Sequence, residues 1–274
     1  MCGFVGLVHH DLRPVERPML AQMARAIAHR GPDGEGQFVD GPVGFHHKRL
    51  AIIDLHSGRQ PMTRDGVTVV FNGEIYNYVE LRDGLKARGH QFATTSDTEV
   101  LLRMYLEHGE SFVAMLNGMF AFLIYDSRTG QILAARDHFG IKPLYCFQNR
   151  DLIIFGSEVK ALLQHPAVKA EPDVDALRDY VTFQFVLGER TLFRNVRKLP
   201  PAHYHLFDVT SGRSRSVRYW EPKFEIDAYH NEEYFASTLR AILEDAIRLQ
   251  LRSDVPVGPH LTGRMDPRRR TAAA

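Results

Sequence analysis

The sequence predicts an α+β fold in which two sheets pack face to face and helices cover their outer sides. Three observations carry this. Apolar runs at 120–125, 132–135, 144–147 and 152–155 follow one another across turn residues, the spacing of antiparallel strands. These runs are apolar throughout instead of alternating, so each sheet is expected to be covered on both faces. Helical patterns stand before and among them, which builds a layered α/β/β/α arrangement.

The elements follow in order. Gly3-Phe4-Val5-Gly6-Leu7-Val8 reads as a buried strand whose glycines admit close approach of another molecule. Leu20, Met23 and Ile27 recur at helical spacing, and Gly31 ends that helix. Arg30-Gly31-Pro32-Asp33-Gly34 has the composition of a turn. Residues 43–53 read as a strand carrying the polar insertion His46-His47-Lys48-Arg49, with the two histidines on opposite faces. The β-branched run 67–71 is expected to end in a turn at Asn72-Gly73. Tyr78, Leu81 and Leu85 mark the next helix, ending at Gly89. Ser96-Asp97-Thr98-Glu99 predicts a capping box, with Ser96 accepting from the N3 amide and Glu99 reaching back. Short helices are expected at 157–164 and 173–183, and shorter strands between 197 and 220. An amphipathic helix over 231–251 starts at an Asn cap, with Phe235, Leu239, Ile242, Ala246 and Leu249 on one stripe. It opens a second region, so the division expected is 2–220 and 221–274.

Composition excludes several classes. Lys plus Arg number 34 and Asp plus Glu 33, leaving no field to attract nucleic acid or an acidic membrane surface. No apolar stretch approaches the roughly 20 residues that span a bilayer. Two cysteines, Cys2 and Cys146, make no disulfide framework, which fits a reducing cytoplasm. No spacing among the 14 histidines suggests a metal site.

Chemistry concentrates at the start. Trimming Met1 would put a thiol and a free α-amine on Cys2, and such an amine titrates near pH 7.7–8.0, roughly where a general base should sit. Three polar clusters at the ends of apolar runs suit the substrate of such a nucleophile. Arg49 offers a planar fork to a carboxylate. Asn72-Gly73-Glu74 offers a side-chain amide and a glycine N–H as an oxyanion hole. Asp97, at a helix N-terminus, is expected to ionise readily and take an ammonium group. Together they fit glutamine. Alone, each has a plainer reading: a surface charge, a hairpin turn and a helix cap.

Met1-Cys2-Gly3-Phe4-Val5-Gly6, Arg30-Gly31-Pro32-Asp33-Gly34, Arg49-Leu50-Ala51-Ile52-Ile53-Asp54, Gln60-Pro61-Met62, Phe71-Asn72-Gly73-Glu74-Ile75-Tyr76-Asn77 and Ser96-Asp97-Thr98-Glu99 resemble, in that order, the glutamine-hydrolysing asparagine synthetases. So do Arg136-Asp137, Phe139-Gly140-Ile141-Lys142-Pro143-Leu144-Tyr145 and Ser157-Glu158-Val159-Lys160-Ala161-Leu162. The resemblance implies a class II glutamine amidotransferase domain of the N-terminal-nucleophile hydrolase fold. It implies Cys2 as nucleophile, Asn72 and Gly73 as oxyanion hole, and no cofactor for glutamine hydrolysis. Arg49, helped by Leu50, Ala51, Ile52 and Ile53, would hold the substrate carboxylate, and Glu74 with Asp97 its α-amine. Residues 136–145 would be structural, at the interface with a synthetase half. The partners implied are glutamine and either a second copy or a synthetase domain.

The departure lies near the end. The family activates aspartate with ATP and magnesium, using a phosphate loop of the form Ser-Gly-Gly-x-Asp-Ser. The corresponding stretch here is Thr262-Gly263-Arg264-Met265-Asp266-Pro267. Leu261, Gly263 and Asp266 match nucleotide-contacting positions, but Arg264 obstructs close backbone approach and Pro267 removes an N–H donor. The expectation is therefore an amidotransferase domain followed by a truncated, helical start of an α/β ATP-pyrophosphatase domain. Two alternatives stay open: a relative making another amide, and a non-catalytic interaction fragment.

Overall fold

The computed structural model describes residues 1–258. Its strands are β1 Gly3–His9, β2 Gly34–Asp40, β3 Val43–Arg49, β4 Met62–Arg64, β5 Val67–Ile75, β6 Gly118–Asp126, β7 Gln131–Arg136, β8 Tyr145–Gln148, β9 Leu152–Gly156, β10 Val196–Lys198, β11 His203–Asp208 and β12 Ser214–Arg218. Its helices are α1 Arg17–Arg25, α2 Tyr78–Ala87, α3 Asp97–His108, α4 Val159–Leu162, α5 Val174–Phe183 and α6 Glu232–Gln250.

The strands form two six-stranded antiparallel sheets, ordered β10-β8-β9-β1-β3-β2 and β12-β11-β7-β6-β5-β4. Three apolar cores hold them. Phe4, Val8, Phe45, Val70, Leu123 and Phe155 fill the space between the sheets. Val5, Leu7, Leu20, Met23, Ile27 and Leu162 pack the other face of the first sheet under α1 and α4. Phe71, Val100, Leu101, Met104, Phe112 and Phe122 pack the outer face of the second sheet under α3. Alternate residues of β1 and β6 thus enter different cores, and both faces are dry. That is why these strands read as continuous apolar runs.

Several expectations need correction. Asn72-Gly73 is no turn: β5 runs on to Ile75, with Asn72 opposite Ala121 and Gly73 opposite Phe120. Pairing along the whole of β6 overrides the local turn preference. Gly73 is there because a Cβ would stand 2.1 Å from the Met119 carbonyl oxygen. The strand through His46-His47 stops at Arg49, and residues 50–53 form a loop. The capping box is incomplete. Ser96 Oγ accepts from Thr98 N at 3.1 Å, but the Glu99 carboxylate turns to the amides of Ala93 and Thr94. The helix expected at 157–164 is limited to the single turn of α4.

The helix at 231–251 forms as α6, capped by Asn231 accepting from Tyr234 N, and none of its residues is buried. Its apolar stripe faces outward: Phe235, Leu239 and Ile242 are 45%, 55% and 61% exposed. No helix among the described residues is long and apolar enough to cross a membrane. Leu261, Gly263 and Asp266 lie outside the described residues.

Candidate active site

Cys2 stands just before β1, a central strand of the first sheet, while Asn72 and Gly73 lie on β5 of the second. The sheets therefore bring the two together from opposite layers. Cys2, Arg49, Leu50, Ile52, Ile53, Asn72, Gly73, Glu74 and Asp97 all line one cavity of about 300 Å³. Ala51 does not line it: its N–H donates to Asp33 Oδ2 at 2.9 Å and so shapes the loop from behind. The separate polar clusters of the sequence thus meet at one place.

The thiol is held by the backbone of one residue, Leu50. Leu50 N donates to Cys2 Sγ and Cys2 Sγ donates to Leu50 O, each at 3.3 Å. Burial raises the thiol pKa, opposed by the Leu50 hydrogen bond. A neutral thiol must therefore lose its proton on reacting, and no histidine lines the cavity to take it. Cys2 is anchored through its carbonyl, which accepts from Arg30 Nε at 2.8 Å; Arg30 Nη1 pairs with Glu158 at 2.9 Å. Phe4 N donates to Ser157 Oγ at 3.0 Å. These contacts explain two motifs to which the sequence alone assigns no role. Gly31 belongs to the same packing, since a Cβ there would lie 2.2 Å from the Lys48 carbonyl carbon.

Asn72 is 1% exposed, and neither its Oδ1 nor its Nδ2 has a hydrogen-bond partner. An unmet buried polar group costs about 1–3 kcal/mol, so such groups in folded proteins call for an explanation. The strand carrying it is fixed next door: Gln60 Oε1 accepts from Phe71 N at 2.7 Å and Gln60 Nε2 donates to Thr98 Oγ1 at 3.2 Å. The amide is thus held in the cavity wall with its hydrogen-bonding capacity unspent.

The charged groups differ from expectation in one respect. Asp97 is 4% exposed and does not ionise readily. Burial pushes its pKa up to about 7, and the nearby Glu74 charge adds to the rise. The Ile75 and Thr98 amides and the Ser96 hydroxyl only partly offset it. Desolvation outweighs the helix terminus here. Burial also raises Glu74, and the Lys142 charge opposes that rise. Arg49 spends its guanidinium on the loop that follows it, donating to Leu55 O at 3.1 Å, Ile53 O at 3.3 Å and Asp54 O at 2.5 Å. It lines the cavity and clamps the loop at once.

Lys142 is a charged cavity residue to which the sequence alone gives no site role. It is 5% exposed, and its Nζ meets Met1 Sδ at 3.3 Å. The Asp137 carboxylate turns it inward by accepting from the amides of Phe139, Ile141 and Lys142. Arg136 closes the same knot on the carbonyls of Gly140, Lys142 and Leu199. The structural part expected of 136–145 is present, but one of its residues reaches the site.

A thiol just before a central strand of one sheet and an unpaired amide on the other sheet thus share one cavity. The model of the glutamine amidotransferase domain matches residues 1–220, and this chain belongs to that family, as a class II domain related to the glutamine-hydrolysing asparagine synthetases. It is 41% identical over 271 residues to asparagine synthetase [glutamine-hydrolyzing] 1 of Bacillus subtilis, covering 97% of this chain and 42% of that protein. It is 39% identical over 284 residues to asparagine synthetase [glutamine-hydrolyzing] 3 of the same organism, covering 100% of this chain and 45% of that protein. The chain thus spans less than half the length of these relatives. Among solved structures, glutamine phosphoribosylpyrophosphate amidotransferase from B. subtilis matches with a TM-score of 0.57 at 19% identity. The match covers 81% of this chain and 50% of that one, a likeness of fold.

Proposed function

We propose that this chain hydrolyses glutamine to glutamate and ammonia, with Cys2 as nucleophile. The observation that carries the reading is Asn72, a buried amide without partners in the same cavity as the Cys2 thiol. Cys2 Sγ attacks the side-chain carbonyl carbon of glutamine, and Asn72 Nδ2 with the Gly73 N–H takes up the oxyanion. The thiol proton passes to the α-amine of Cys2, freed by removal of Met1, and from there to the leaving nitrogen. The carbon–nitrogen bond breaks, ammonia departs, and water cleaves the remaining thioester to glutamate. Arg49 and the loop of Leu50, Ala51, Ile52 and Ile53 face the substrate carboxylate; Asp97 and Glu74 face its α-amine.

The order helix, sheet, sheet, helix supports assignment to the N-terminal-nucleophile hydrolase type. Residues 2–220 form the amidotransferase domain in this reading, and 221–274 open a synthetase region. Within a full-length relative, the ammonia would amidate aspartate with ATP and magnesium in the cytoplasm. The named relatives support that acceptor. Leu261, Gly263 and Asp266 belong to that other region, and no step of glutamine hydrolysis involves them. The test is release of glutamate and ammonia from glutamine by the purified chain and by Cys2→Ala. Equimolar release by wild type and none by the variant is expected; equal release by the variant overturns the assignment.

A further inference from the structure

The chain leaves the amidotransferase domain with the exposed helix α6 and then returns to it at two points. Arg252 forks onto Glu80, Nη1 to Oε2 at 2.6 Å and Nη2 to Oε1 at 2.5 Å, and Nη1 also donates to Tyr76 O at 2.6 Å. Two residues on, Asp254 N donates to Ile52 O at 3.0 Å, and the Asp254 carboxylate accepts from Asp54 N at 2.7 Å.

These contacts bracket Ile53. Ile52 and Ile53 line the cavity, and the carbonyls of Ile53 and Asp54 are partners of Arg49. The loop is therefore held from inside by Arg49 and from outside by Asp254. Its inner support continues through Asp54, whose carboxylate accepts from Ser57 N, Ser57 Oγ and Thr95 N. The outer support is the half that comes from a segment 200 residues away in sequence.

We infer that residues 252–254 are a positioning strap for the substrate-side loop, and that Asp254 sets the affinity of the Cys2 site for glutamine without touching it. Arg252 anchors the strap at the start of α2, and Asp254 applies it to the loop. Whatever displaces the segment after α6 then loosens the Arg49 clamp. By reciprocity, substrate held by the loop tightens the strap. The affinity part rests on the proposed glutamine hydrolysis; the mechanical part does not.

The experiment uses the whole chain as wild type, Asp254→Ala and Asp254→Asn, with amide hydrogen exchange and steady-state kinetics. Asp254→Ala is expected to speed exchange at 52–54 and to raise the KM for glutamine about tenfold, the scale of one charge-assisted hydrogen bond. The kcat should stay within about twofold, since no group meeting the transition state changes. Alkylation of Cys2 by iodoacetamide, which has no amino-acid end to be held, should keep its rate. Asp254→Asn retains a neutral acceptor and should fall between. Unchanged exchange at 52–54, or an unchanged KM in Asp254→Ala, overturns the strap. If the wild type hydrolyses no glutamine, the Cys2 reading falls, and exchange at 52–54 alone decides whether the strap holds the loop.

Discussion

One residue, Leu50, donates to Cys2 Sγ through its N–H and accepts from it through its carbonyl, each at 3.3 Å. The thiol is thereby held in the cavity that Asn72 also lines, and burial raises its pKa. The other thiol contrasts with it. Burial pushes Cys146 up to about 12, and it lines no part of this cavity. A glutamine-analogue electrophile should therefore give one adduct by intact mass, mapped to Cys2, and only on chains that have lost Met1. Adduct on Cys146, or equal labelling with Met1 retained, would remove Cys2 and its amine from the reaction.

Asn72 sets catalysis against stability. Its polar atoms gain no hydrogen bond in the folded protein. Replacing it by Leu, of similar size, removes two unmet buried groups and should raise Tm. The same change deletes an oxyanion donor and should lower kcat by about 10²–10³. Thermal melts and glutamine kinetics on Asn72→Leu check both halves. A lower Tm with intact kcat would mean the amide serves packing.

Asp97 makes the site pH-dependent in a direction that can be worked out. Its free-state pKa is pushed up to about 7, and only the carboxylate attracts an ammonium. As pH falls below this value, kcat/KM for glutamine should fall about tenfold per unit. That limb should be absent in Asp97→Asn, which is also expected to bind glutamine more weakly throughout. Stability runs the other way. The folded pKa lies above the ordinary 3.8, so the native state holds a proton that the unfolded state releases between those values. Wild type should lose stability relative to Asp97→Asn as pH rises from about 4 to about 7, by at most about 1.4 kcal/mol per unit. Denaturant melts of both proteins across that range would expose a flat difference if Asp97 were ionised throughout.

What could be read from residues alone follows from how local each signal is. The central strands were plain because both faces of β1 and β6 are buried, leaving no alternation to confuse them. Cys2 stands out by its position after Met1, and Arg49, Asn72 and Asp97 as polar groups at the ends of apolar runs, which is where sheets present side chains to a shared cavity. Asn72-Gly73 was misread as a turn because its glycine answers a neighbour, the Met119 carbonyl, that only strand pairing supplies. Asp97 departs from the expectation because a helix terminus is visible in sequence and desolvation is not. Lys142 needed the Asp137 knot to turn it inward, and Gln60 needed β5 beside it. The Asp254 contact spans 200 residues and leaves no pattern at either end.

The 274-residue chain should not make asparagine. Amidation of aspartate requires the carboxylate to be activated by a nucleotide and then to meet ammonia away from water. If Thr262-Gly263-Arg264-Met265-Asp266-Pro267 is the counterpart of a phosphate loop, as its resemblance implies, it carries Arg264 where a glycine is needed and Pro267 where an N–H donor is needed. Glutamine hydrolysis by this chain should accordingly release ammonia to solvent and be indifferent to ATP and aspartate. The decisive assay supplies purified protein with ATP, magnesium, aspartate and ammonium chloride, which bypasses Cys2 altogether. No asparagine, AMP or pyrophosphate is expected; formation of all three would show that Arg264 and Pro267 do not disable the loop.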